Sequence, residues 1–206
     1  MAVKVQEVID LFQYGGILDK SYSPFGFIND KIDLRGFPLP SARPIRNYRI
    51  SHADFTEASF DNAWIEGCQF DDTIFDKAFF EGVRDHGNQF SNCSFIKTNF
   101  RCAGIGHKGT SYQNCLFEKC KFAKTGFVRA EYDNCIFNSC NLKGVDFNAS
   151  SFNKCEFIGK LDDVWFRGGY GYQSFYDDFG IPRKNKMKNV SFKKSRGNFR
   201  LYFIKI

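Results

Sequence analysis

Long hydrophobic runs are missing from this chain of 206 residues: nowhere do 18 apolar residues follow one another, so no membrane-spanning helix is expected. No basic start leads into an apolar stretch, so no secretory signal is expected, and the chain is expected in the cytoplasm. The eight cysteines form no Cys-x-x-Cys pair and no zinc-type His–Cys spacing, so no metal is expected. No nucleophile stands out beside a base, and neither a catalytic residue nor a cofactor is assigned. Acidic residues are absent from 181–206, where nine basic ones stand.

What the chain has is a period of five. Large apolar residues fall at Tyr112, Phe117, Phe122, Phe127, Tyr132, Phe137, Leu142, Phe147, Phe152 and Phe157, and the register runs back through Ile105 to Ile45. Of these 23 positions 22 are apolar, the exception being Asp85. From Phe55 on, the residue two before is small in 20 of 21 cases, with Asn88 departing. Neither a helix (about 3.6) nor a strand (about 2) has this period, so the pattern belongs to a repeat architecture. One large and one small inward residue per unit make one side of a square. Four units then close a coil of about 20 residues, and coils stack about 4.8 Å apart. The step from Ile105 to Tyr112 is seven, so two extra residues loop out there.

Units such as Ala53-Asp54-Phe55-Thr56-Glu57 and Cys120-Lys121-Phe122-Ala123-Lys124 resemble the pentapeptide-repeat family over residues 45–166. The resemblance implies an all-β solenoid, a right-handed quadrilateral β-helix, here of about six coils. It carries over no catalytic residues. Some relatives resemble DNA in shape and charge and bind type II topoisomerases, some conferring quinolone resistance.

The chain is expected to divide into an N-terminal cap (1–44), the β-helix (45–166) and a C-terminal segment (167–206). Residues 3–13 read as a short amphipathic helix covering the open end of the rod, and 17–44, with four prolines, as irregular. Seven cysteines occupy the small inward position, Cys102 alone being off register. Cys115, Cys135 and Cys155 are 20 apart and should stack as apolar filler.

Four surface features are candidates for function. Residues 51–90 are acidic, nine acids facing Lys77 and Arg84, and Asp54, Asp61, Glu66, Asp71, Asp72 and Asp76 point outward, which suits a DNA-mimicking binder of DNA gyrase or another type II topoisomerase. The overall charge of +6 departs from whole-rod mimicry. Asp85, costly to bury unpaired, is expected to turn outward in a bulge; with His86, His107 and Lys108 of the next bulge it would form one polar patch. Gly104-Ile105-Gly106-His107-Lys108-Gly109 spells GxGxxG, but no helix pattern follows, so no dinucleotide site is read there.

Trp64, Ile74, Phe79, Leu116, Ile136 and Trp165 are the apolar residues at outward positions; Ile74, Leu116 and Ile136 should share a face, a strip suited to a protein contact. After Phe166 comes an insertion with Tyr170, Tyr172, Phe175 and Tyr176, then Arg183 and Lys184 in a basic run. This loop is assigned to a protein partner, with nucleic acid as the alternative. Residues 199–206 read as a final strand that closes the rod or pairs with a second copy in a homodimer. The leading expectation is a non-catalytic interaction scaffold with an unidentified protein partner.

Overall fold

The computed structural model describes residues 16–39 (apart from 22 and 24), 44–181 and 186–202; the expected helix over 3–13 lies outside them. The chain winds into a parallel β-solenoid of about seven turns with four faces. The first face stacks Ile45–Arg46, Trp64–Glu66, Arg84–His86, Gly104–His107, Gly126–Val128, Asp146–Asn148, Val164–Arg167 and Phe199–Tyr202. The second runs from Gly16–Leu18 through Tyr48–Ser51, Gln69–Asp71, Gln89–Ser91, Ser111–Gln113, Glu131–Asp133 and Ser151–Asn153 to Met187–Lys188. The third continues from Ala53–Asp54 through Ile74 into Ser94–Ile96, Leu116–Glu118, Ile136–Asn138, Glu156–Lys160 and Ser191–Arg196. The fourth has single bridges only, Pro38 to Ser59, Phe79, Asn99, Lys121 and Asn141.

The five-residue unit explains this cross-section. The central residue and the small one two before it point inward, and the residue two after the centre turns the corner with positive φ, as at Asn62, Lys77, Asn92, Asn114, Asn134 and Lys154. A left-handed corner is strained for most residues and mildest for asparagine. Here an amide ladder also supports it: Asn134 Nδ2 donates to Asn114 Oδ1 (2.8 Å), and Asn114 Nδ2 to Asn92 Oδ1 (3.1 Å).

Inside, the aromatic rings form columns at the coil spacing. On the third face Phe75, Phe95, Phe117, Phe137 and Phe157 stack at 4.7–5.0 Å with planes within 7° of parallel. Each buried ring contributes about 1.5–3 kcal/mol by leaving water, and neighbouring columns meet edge to face, the other arrangement the ring quadrupole favours.

The small position is served equally by Cys and Thr. Cys115 Sγ donates to Phe90 O (3.4 Å) and Cys135 Sγ to Tyr112 O (3.3 Å), just as Thr98 Oγ1 donates to Phe75 O (2.7 Å). The third-face thiol column begins one coil earlier than expected, at Cys93, because Ser94–Ile96 pairs with Leu116–Glu118 across the 22-residue step. Burial pushes the Cys115 thiol far up and Cys68 to about 11, so both remain protonated.

The solenoid also starts earlier than residue 45. Ile32, Leu34, Phe37 and Leu39 are buried in the core, and Ile32 and Asp33 pair with Ala53 and Asp54. Proline does not interrupt this coil because Pro38 lies on the fourth face, where its neighbours make the bonds: Ser59 N donates to Phe37 O, and Leu39 N to Ser59 O. At the other end Phe199–Tyr202 pairs with Val164–Arg167, so the final strand adds to the first-face sheet of its own chain. Among the described residues no helix is long and apolar enough to cross a membrane.

Candidate functional site

Asp85 does not turn outward. It is 3% exposed and points into the core from the middle of Arg84–His86, with Ile65 and Ile105 in the neighbouring coils. The expectation of a bulge there fails because the fold supplies four donors. Asn88 Nδ2 (2.5 Å) and Thr110 Oγ1 (2.9 Å) donate to Oδ1, and the Tyr112 hydroxyl (2.9 Å) and Gly106 N–H (3.2 Å) to Oδ2. Burial raises the Asp85 pKa above the ordinary carboxylate value, and the four donors pull it back only in part.

Both irregularities of the repeat thus serve one network. Asn88, the lone misfit at the small position, donates to Asp85. The two extra residues after Ile105 aim a backbone N–H inward at Gly106, where the register shifts. Gly106 has φ +90, and a Cβ there would sit 2.6 Å from Ala130 Cβ and 2.7 Å from Val128 O. Only glycine fits this close approach.

Alternation along the strand separates Asp85 from the other members of the expected patch. His86 faces outward and stacks on His107, ring centroids 5.1 Å apart and nearly parallel. Trp64 lies 5.5 Å from His86, and the Arg46 guanidinium stands over Trp64 at 5.3 Å. On the other side His107 meets the edge of Phe179 at 5.0 Å. Lys108 turns to Glu66, which Arg46 Nε also contacts at 2.9 Å. These cations hold the Glu66 pKa below its usual range, the Lys108 bond contributing most. Arg46, Glu66, His86, Gly87 and Lys108 rim an open hollow of about 480 Å³. Burial lowers the His86 pKa, and lowers that of His107 to about 4 with the His86 charge as the lesser cause, so both rings are neutral at neutral pH.

The insertion after Phe166 is docked on this face. Its single described helix, Gln173–Phe179, packs over Val128 and Ala149 through Phe175, Tyr176 and Phe179, with Tyr170 beneath at 5% exposure. Arg129 Nη1 donates to Phe179 O (3.2 Å), and Gly171 N to Asn148 Oδ1 (2.9 Å). Tyr170 is therefore an anchor of the insertion and not a contact residue, and Phe175 and Tyr176 are partly buried in the same way. Tyr172 (63%) and Ile181 (87%) remain exposed. Arg183 and Lys184 lie outside the described residues.

The structure thus joins Arg46, Trp64, His86, His107, Phe179 and the helix into one continuous ridge. Sequence reading missed Arg46, Phe179 and Arg129; the available signal was the 20-residue spacing of Arg46, Glu66 and His86 at one outward column.

The other candidates lie apart. Ile74, Leu116 and Ile136 stand in one third-face column, opposite the ridge, but Ser94 interrupts it and only Ile136 is exposed. The acids go around the coil and carry bonds of their own. Asp54 accepts from Thr56 N, Asp61 from Glu81 N, Asp71 from Asn92 and Asp76 from Ile96 N, while Asp72 pairs with Lys31 and His52. Among the described residues no three His, Cys, Asp or Glu side chains are placed to hold a metal ion.

Comparison with known proteins matches a stretch of the early coils. The profile of the family described as pentapeptide repeats matches residues 51–84 in eight copies. No curated protein matches the chain. Among solved structures it is similar to full-length QnrB1, described as a plasmid-mediated fluoroquinolone resistance protein, at 12% identity and TM-score 0.48, covering 86% of this chain and 92% of that one. It is also similar to HetL, a pentapeptide repeat protein involved in heterocyst differentiation regulation from the cyanobacterium Nostoc sp., at 14% identity and TM-score 0.28, covering 79% and 84%.

Proposed function

We propose that this chain, whose coils over 51–84 match the pentapeptide-repeat model and whose core holds stacked rings around one sealed carboxyl, is a non-catalytic scaffold in the cytoplasm that binds a protein partner through the first-face ridge. The observation that carries this reading is continuity. The cation–ring–imidazole column from Arg46 to His107 runs without a break into the docked helix, and Tyr172 and Ile181, at either end of that helix, are exposed. Stacked, mutually buttressed rings bearing an exposed aromatic and an aliphatic tip suit a protein contact, because little side-chain entropy remains to be lost on binding. The third-face column is the weaker surface, since two of its three residues are half-buried.

A nuclease-treated pull-down from host lysate tests the reading with three baits: wild type, Tyr172→Ala/Ile181→Glu, and Leu116→Glu/Ile136→Glu. A stoichiometric protein should be retained by wild type and by the third-face variant and lost from the ridge variant. Retention by the ridge variant together with loss from the third-face variant would move the site to the opposite side of the rod.

A further inference from the structure

The fourth face has a property that neither the ridge nor the basic C-terminal run explains. In three successive coils it presents Lys97 and Arg101, then Lys119, Lys121 and Lys124, then Lys143, all exposed. The bridges from Asn99 to Lys121 and from Lys121 to Asn141, with the bonds from Lys97 N to Glu118 O and Cys102 N to Ala123 O, fix these rows one above another. Rows stand about 4.8 Å apart and residues about 3.3 Å apart along each, so six positive charges share a patch of roughly 10 by 15 Å. Lys119 pairs with Glu118 (3.0 Å). The other five make no ion pair among the described residues.

Elsewhere the basic residues are partly engaged: Lys194 pairs with Glu156, Lys160 with Asp162, and Arg167 and Arg200 both stand over the Trp165 ring at 4.5 Å. Crowded, unneutralised cations repel one another and gain when a polyanion arrives. Phe79 stands in the same column, bridged to Asn99 and 45% exposed. A flat cationic field beside one open aromatic ring matches a strand that offers both phosphates and unpaired bases. A duplex would have no free base for the ring.

We propose that the fourth face binds single-stranded nucleic acid, with the Lys/Arg rows on phosphates and Phe79 stacked on a base. The test is fluorescence anisotropy with a labelled thymidine 12-mer, the matching 12-bp duplex and phosphatidylserine vesicles. Wild type is compared with Arg101→Glu/Lys121→Glu/Lys143→Glu, Phe79→Ala, and Lys188→Glu/Lys193→Glu. The triple reversal should fold, because Asp61 and Glu81 hold the positions equivalent to Arg101 in earlier coils, and circular dichroism checks this.

The single strand should bind wild type and the Lys188/Lys193 variant alike. Its affinity should fall roughly 50-fold between 50 and 200 mM salt if about four phosphates are engaged. The triple reversal should abolish binding. Phe79→Ala should weaken the single strand about tenfold and leave the duplex unchanged. The proposal is overturned by no binding at 50 mM salt, by binding that survives the triple reversal, by equal affinity for the duplex, or by binding to vesicles alone.

Discussion

Between Tyr112 and Phe157 each coil is a near copy of the last: rings stack at a constant interval, Cys and Thr exchange at the small position, and asparagine ladders hold the corners. Between Val83 and Thr110 the same unit carries a carboxyl in place of a ring, an amide in place of a small residue and two extra residues. The regular coils are stabilised by many similar contacts, none of them decisive. The irregular coil depends on a few groups that satisfy one another, where losing one strands the rest. Repetition therefore gives tolerance, and the departure from it concentrates the cost of change in a handful of positions.

The sharpest way to break the contrast is Gly106→Val. A side chain there meets the backbone of the next coil at 2.7 Å with φ +90, and a loss above about 4 kcal/mol in urea unfolding is expected. Gly109→Ala, also at positive φ but facing open space, should cost about 1 kcal/mol. Equal losses at both would mean that the close approach at Gly106 does not matter.

Next comes Asp85→Ile, which restores the regular pattern in sequence and should nevertheless destabilise by about 3 kcal/mol, because four donors lose their acceptor. Adding Tyr112→Phe, whose hydroxyl serves Asp85, should recover part of that loss, whereas Asn88 must stay because it also bonds Cys68 N and Ile65 O. A double variant no better than the single one would argue against a shared network.

The smallest effect is in pH. Asp85 has a raised folded pKa, so its contribution is fully present below the ordinary carboxylate value and is lost as pH rises through the folded value. His107 runs the other way. Its folded pKa of about 4 lies below the unfolded value near 6.5, so docking of the helix is strongest above about 6.5 and weakens as pH falls towards 4. Acid-induced exposure of the Gln173–Phe179 segment, followed by limited proteolysis, should be blunted in His107→Phe. Unchanged acid sensitivity in that variant would place the titrating group elsewhere.

The period of five made the solenoid legible, because every unit repeats the same information. The Asp85 site was legible only as a misfit. A sequence shows the cost of burying a carboxylate at one position, but its partners Asn88, Gly106, Thr110 and Tyr112 come together only once the coil closes and the register slips by two. The start of the solenoid was hidden for a related reason: the proline at 38 reads as loop until the fourth face is seen to need so few hydrogen bonds from it. The aromatic insertion offered composition without period, so nothing in the sequence showed that Tyr170 would turn inward while Tyr172 stayed out.

The thiols distributed along the rod have a further use. Seven sit sealed in the interior, from Cys68 in an early coil to Cys155 in a late one, and Cys102 alone stands in the open. In the folded rod an alkylating reagent should label Cys102 and pass over the rest. As denaturant unwinds the chain, each newly labelled site records the opening of its own coil, so the protein carries an internal ruler on which the direction of unravelling can be read by mass.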